Sequence, residues 1–135
     1  MKKELDDLLC QRYPKIFADR HRPVTESRMG LGFMCGDGWF ELLDSLCREL
    51  QSATDENNAP QVVATVVKEE LGWLTFSCRS PNAAQRDMIG KAMDRSGYIC
   101  EQCGQPGRRL KHHVLFTRCA DHAPAGAQLA TPSVS

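Results

Sequence analysis

Apolar positions recur every three or four residues near the start of the chain: Leu5, Leu8, Leu9, Tyr13, Ile16 and Phe17. That spacing draws one stripe on a helix. Pro14 has no donor N–H and its ring clashes with the preceding turn, so the pattern predicts a helix to about Arg12 and a fresh turn from Pro14. Residues 18–32 show no period and read as a connector. Gly30, Gly32, Gly36 and Gly38 then follow in quick succession. The clearest amphipathic helix spans Asp37 to Leu50, with Trp39, Leu42, Leu43, Leu46, Cys47 and Leu50 on one face. Asp37 is placed to cap its first turn, and the polar run Ser52 to Pro60 reads as the loop that ends it.

Beyond that loop the period changes. Gln61 to Lys68 is dense in β-branched residues and predicts a strand. Leu71-Gly72 offers a turn, and Trp73 to Cys78 reads as the returning strand of a hairpin. Asn82 to Ser96 predicts a helix on the stripe Met88, Ile89, Ala92 and Met93, with Pro81 in its first turn and Gly97 as its stop. From Ala123 onward Ala, Pro, Gly, Ser and Thr dominate and no charge follows His122, which predicts a disordered tail over 124–135. The sum is an α+β fold: N-terminal helices, then a central β-hairpin with a helix, over residues 1–97, and a small lobe at 98–123 packed on it.

Composition narrows the setting. With 135 residues, 41% hydrophobic and 25% charged, the chain sits near the globular average, which excludes wholesale disorder. The 17 basic and 17 acidic side chains cancel, which argues against bulk electrostatic binding to nucleic acid or membrane. The charge is nevertheless polarised: residues 1–60 hold 8 basic and 11 acidic groups, and residues 61–135 hold 9 and 6. There is no apolar run of about 20 residues, and the N-terminus turns acidic where a signal peptide would turn apolar. A cytoplasmic protein is expected.

Cysteine placement carries the chemistry. Cys10, Cys35, Cys47 and Cys78 lie singly, whereas Cys100, Cys103 and Cys119 cluster. Seven is an odd count, and a reducing compartment disfavours a disulfide framework. Cys100-x2-Cys103, fifteen residues, then Cys119-x2-His122 is the pairing a tetrahedral zinc site requires, with each pair turning both side chains inward. Gly104 falls where such a turn needs a positive φ. Three thiolates and one imidazole fill all four positions, so the expected zinc is structural, one ion per chain. His112 or His113 are alternative fourth ligands; only His122 completes the paired spacing.

Other signals are weaker. Arg108-Arg109-Leu110-Lys111-His112-His113 forms a basic loop between the ligand pairs. Arg108, Arg109 and Lys111 are therefore candidate phosphate contacts, although no aromatics interleave with them. Cys35-Gly36-Asp37-Gly38-Trp39 places a thiol near a helix start, where its pKa could fall. No base or oxyanion site accompanies it, and no catalytic constellation emerges elsewhere. Trp39 and Trp73 are read as core side chains in preference to exposed anchors.

Five segments together resemble a known group: Leu9-x3-Tyr13-Pro14-x2-Phe17, Gly32-Phe33-x-Cys35-Gly36-Asp37-Gly38-Trp39, Val67-Lys68-Glu69-x-Leu71-Gly72-x-Leu74, Cys100-Glu101-x-Cys103-Gly104-x-Pro106-Gly107 and Thr117-x-Cys119-x2-His122. The chain resembles, over about residues 5–123, a family of small uncharacterised proteins encoded by tailed phages and prophages. It departs at Trp73, where a small residue is expected, and at Thr75, where a basic one is usual. The resemblance implies a non-structural phage gene product in a bacterial cytoplasm, acting by binding and redirecting a host protein, defence systems such as CRISPR–Cas included. The alternative is a zinc-containing nucleic-acid-binding regulator using the loop 108–113.

Overall fold

The computed structural model describes residues 1–130. These residues form a mixed α+β fold of three helices and two small three-stranded sheets. Helix α1 spans Lys3–Arg12 and stops before Pro14, as the proline requires. The turns that follow bury Tyr13, Ile16 and Phe17, and the backbone docks where the Ala64 N–H donates to the Ile16 carbonyl at 2.8 Å. A short 3₁₀ turn, Arg28–Leu31, leads into strand β1, Phe33–Met34.

Helix α2 runs Phe40–Asn57, entered through a 3₁₀ turn at Asp37–Trp39. It thus continues through Ser52–Asn57, where the polar composition predicted a loop. Ala53 keeps the buried face going on that last turn, and the helix closes only at Asn58, which takes a left-handed conformation with φ 57°. Nor does Asp37 cap the helix; its Oδ1 accepts the Lys2 N–H at 2.7 Å instead. Trp39, Leu43, Cys47 and Leu50 have no exposed surface and form the spine of the core.

Strands β2 (Val63–Glu70) and β3 (Trp73–Arg79) form the expected hairpin. Its turn is Leu71 at φ 53° and Gly72 at φ 85°, the mirror-image geometry whose twist matches the flanking strands. Strand β1 adds to the other edge of β2 in parallel, giving the order β1-β2-β3. Helix α3, Ala83–Ser96, packs against β3 and α2. Its N-cap is Asn82, one residue beyond Pro81, and Asn82 and Gln85 exchange side-chain-to-backbone hydrogen bonds in a capping box. Gly97 ends the helix at φ −69°, so a left-handed stop is not what it supplies. A Cβ there would stand 2.2 Å from the Trp73 ring. The Trp73 ring is accommodated because residue 97 has no side chain.

The second sheet has the order β5-β4-β6, from β4 (Arg108–His112), β5 (Val114–Arg118) and β6 (Gln128–Leu129). Two expectations change here. The basic segment is a strand, not a loop: Arg108–His112 pairs residue by residue with β5, and the turn is confined to His113 at φ 65°. The tail, expected to be disordered over 124–135, is ordered through Ala130. Leu129 pairs with Leu110, Gln128 pairs with Lys111, and the Ala130 N–H donates to the Arg109 carbonyl at 3.0 Å. The free backbone edge of β4 supplies these bonds, a gain that side-chain composition does not reveal. Residues 131–135 of the expected tail lie outside the described residues.

Candidate metal centre

Two turns carry the donors. The first follows α3: the Cys100 carbonyl accepts the Gly104 N–H at 2.8 Å, and the Gln105 carbonyl accepts the Cys100 N–H at 2.8 Å. Gly104 sits at φ 80°, as the spacing predicted. The second turn is the 3₁₀ segment Ala120–His122, closed by the His122 N–H on the Cys119 carbonyl. Strands β4 and β5 bring the turns face to face. The donor atoms of Cys100, Cys103, Cys119 and His122 all lie within 4.8 Å of one another and can hold a metal ion.

Three edges of this cluster come close to those of a small tetrahedron. Cys103 Sγ and Cys119 Sγ are 3.7 Å apart, and His122 Nδ1 lies 3.8 Å from Cys100 Sγ and 3.1 Å from Cys119 Sγ. Metal–sulfur bonds of about 2.3 Å at tetrahedral angles give sulfur–sulfur edges of about 3.75 Å, and mixed sulfur–nitrogen edges of about 3.5 Å. The imidazole approaches through Nδ1. His112 and His113 do not take part; their rings meet edge to face, centroids 4.7 Å apart, at the tip of the β4–β5 hairpin.

Cys100 differs from the isolated cysteines in its protonation. Burial would push the Cys100 thiol up, but backbone N–H groups of Cys119, Cys103 and Gln102 directed at its sulfur bring it down to about 7. At Cys103 the Gln105 N–H acts downward, but desolvation together with the adjoining Cys100 and Cys119 thiols outweighs it, so that this thiol stands above its ordinary value. A cation inside the cluster removes that conflict by binding all three as thiolates. The isolated cysteines shift in the direction opposite to Cys100. Burial pushes Cys35 up to about 12 and Cys10 up to about 11, and holds Cys47 and Cys78 above the usual thiol range. Cys35 is thus not an activated nucleophile, for all its position near the start of α2. His21, in the connector before β1, is exposed.

What the glycine-rich segment does was not visible from the sequence. It is the seat of the first metal turn. The Gly38 N–H donates to the Glu101 carbonyl at 2.7 Å, the Gly36 N–H donates to Glu101 Oε2 at 2.9 Å, and Trp39 Nε1 donates to the Ile99 carbonyl at 2.9 Å. A Cβ at Gly38 would lie 2.1 Å from the Cys100 carbonyl oxygen, and one at Gly36 would lie 2.4 Å from that of Glu101. Two glycines let backbone meet backbone, and the side chain between the first two ligands acts as a bolt. Glu101, 9% exposed, also accepts from Arg118 at 3.0 Å, tying β5 to the same point. No single sequence signal marks this. The pairing of a Gly-x-Gly segment with an acidic residue inside a Cys-x2-Cys spacer becomes meaningful only once they are adjacent.

The three candidate phosphate contacts separate. Arg109 turns toward the body: its guanidinium lies 4.5 Å from the Trp73 ring centroid and donates to the Leu71 carbonyl at 2.8 Å. It is a packing residue, which corrects its assignment as a phosphate contact. Arg108 and Lys111 are exposed and make no ion pair among the described residues. Trp39 is fully buried, as expected, whereas Trp73 is half-buried beneath Arg109. Among the described residues no helix is long and apolar enough to cross a membrane. No family model, curated protein or solved structure matches the chain.

Proposed function

We propose that the chain is a zinc-stabilised binding protein whose work is done by docking onto a protein partner. The observation that carries the metal part of this reading is the saturated donor set, and the docking part rests on the resemblance. Three sulfurs and one imidazole nitrogen at tetrahedral edges suit zinc and leave no coordination position for a reacting water, so the ion is structural. Its role is to fix the second sheet against the α+β body, since the lobe from Tyr98 to Ala130 contributes only Cys100 to the buried apolar core. The biological setting rests on the resemblance to small phage and prophage proteins. On that basis the protein acts in a bacterial cytoplasm, and the partner is a host protein or complex, a defence system of the CRISPR–Cas kind included.

Elemental analysis of purified protein tests the metal: one zinc per chain is expected, and Cys103→Ser is expected to lose it together with amide-exchange protection in β4 and β5. Metal-free protein of unchanged stability would refute the structural role. Cross-linking pull-down from bacterial lysate with wild-type and Cys103→Ser protein tests the docking. A partner retained by the first and lost by the second supports it, and equal retention by both removes the metal lobe from the interface.

The nucleic-acid reading keeps one favourable observation. From Gln102 to Ala120 there are four cations and no carboxylate, and Arg108 and Lys111 are exposed. A salt series on single- and double-stranded oligonucleotides decides it. Binding that falls steeply with salt and with Arg108→Ala would favour this reading.

A further inference from the structure

Residues opposite one another in a ladder point to the same face of the sheet. In the second sheet Leu110 stands opposite Phe116 on one side and Leu129 on the other, so the three form a row across all three strands. Two residues away on the same face lie the pair Arg108 and Arg118, and two residues the other way the pair His112 and Val114. The opposite face is spoken for: Arg109 covers Trp73, and the Thr117 hydroxyl donates to the Gly72 carbonyl. The row therefore looks outward. Leu129 is 65% exposed and Val114 66%.

A groove of about 500 Å³ runs along this face, walled by Tyr98, Pro106, Leu110, Leu129, Arg108 and Arg118. That volume falls within the ~300–1,000 Å³ of pockets that bind small groups or a few side chains. Tyr98, at 66% exposure, stands at its rim. The charge is one-sided. Among the described ion pairs Arg118 is held by Glu101, while Arg108 is exposed and has no acidic partner. The hairpin that carries the groove contains no carboxylate.

Resting on the binding-protein reading above, we propose that this groove takes an acidic peptide segment of the partner, with one or two aliphatic or aromatic anchors seated on the Leu110–Leu129 row and a neighbouring carboxylate paired with Arg108. The floor chooses between acidic polymers. Bases stack on ring faces; the floor, Leu110 and Leu129, is aliphatic and only the Tyr98 ring at the rim is aromatic, so the groove favours leucine-like or aromatic anchors over a run of stacked bases. Phosphates alone would not need it. Arg108 supplies orientation and attraction, and the apolar row supplies most of the retained contact.

The test uses the full-length zinc-loaded protein, immobilised, and a displayed library of random dodecapeptides, with a dT12 oligonucleotide as the competing probe. Enriched sequences are expected to combine Asp or Glu with Leu, Ile, Phe or Trp. Leu129→Asp and Tyr98→Ala alter exposed side chains and are expected to keep one zinc per chain while weakening the selected peptides at least tenfold. Arg108→Glu is expected to turn the enrichment toward Lys and Arg. Enrichment without acidic residues, no enrichment at all, or peptide affinity unchanged by Leu129→Asp would overturn the proposal. So would dT12 binding more tightly than any peptide and being lost in the same variants. A zinc-dependent partner whose capture ignores Leu129→Asp and Tyr98→Ala would sink this groove while leaving the binding-protein reading standing.

Discussion

Gly38 and Gly90 invite the same substitution and are expected to answer with opposite signs. Gly38 has no positive φ, so alanine is conformationally acceptable there; the obstacle is that its Cβ would lie 2.1 Å from the Cys100 carbonyl oxygen and 2.6 Å from the Glu101 carbonyl carbon. Ordinary contact requires a retreat of about 1 Å by the first metal turn. Overpacking of this kind costs about 1–3 kcal/mol. Stretching the 2.7 Å bond from the Gly38 N–H to the Glu101 carbonyl adds about 0.5–1.5 kcal/mol. Gly38→Ala is thus expected to destabilise by about 2–4 kcal/mol. Gly90 lies exposed inside α3 with nothing within 4 Å of a Cβ, so Gly90→Ala is expected to stabilise by about 0.5–1 kcal/mol through helix propensity. Urea unfolding at fixed free zinc reads both. With m of about 1–3 kcal/mol/M, the first variant should lower the midpoint by about 1–2 M and the second should raise it slightly. A Gly38→Ala protein within 0.5 kcal/mol of wild type would show that the glycine-rich segment does not seat the metal turn.

Arg109→Ala is expected to cost about 1–2 kcal/mol by uncovering Trp73 and freeing the Leu71 carbonyl, with a red shift of tryptophan emission; an unchanged melting temperature would contradict the packing role. Tyr13→Phe removes the 2.8 Å bond from the phenol to the buried Asp44 carboxylate, for an expected loss of about 1–2 kcal/mol at neutral pH. Burial would raise the Asp44 carboxyl, but Tyr13, Arg12 and Arg48 hold it below the usual value of 3.8. Its contribution is present above that pH and is lost as pH falls through the lowered value. Tyr13, raised to about 12 by burial and by Asp44, contributes fully below 10 and loses that contribution as pH rises through about 12. The gap between wild type and Tyr13→Phe should therefore close at both extremes, and a gap independent of pH would count against the pair. Hydrogen peroxide added to zinc-loaded protein is expected to join Cys103 to Cys119, whose sulfurs are 3.7 Å apart, releasing the metal and sparing the buried Cys35 and Cys47; peptide mapping that finds a different pair would refute the selectivity.

Local signals in the sequence proved the readable ones. Pro14 stopped α1, Leu71-Gly72 turned the hairpin, and two-residue spacers grouped the four donors, because each depends on a few adjacent residues. Features resting on distant backbone were not readable. Strand β1 has two residues and exists because β2 offers an edge, and β6 exists because β4 does. Arg109 looked like its neighbours until Trp73, thirty-six positions earlier, came under it. The last turn of α2 was hidden for a different reason: its one buried side chain there, Ala53, is too small to show in a polar run.

Glu101 has a consequence for how the protein can be divided. A fragment beginning at Tyr98 would carry every ligand and both strands of the β4–β5 hairpin. It would also carry a carboxylate and a carbonyl whose donors, the Gly36 and Gly38 N–H groups, were left behind. The metal motif is therefore not a cassette that can be lifted out or grafted onto another host by its cysteine spacing. Its complement lies more than sixty residues upstream, so a transplant must bring both halves, and a deletion in the glycine-rich segment would be felt as a defect in metal retention.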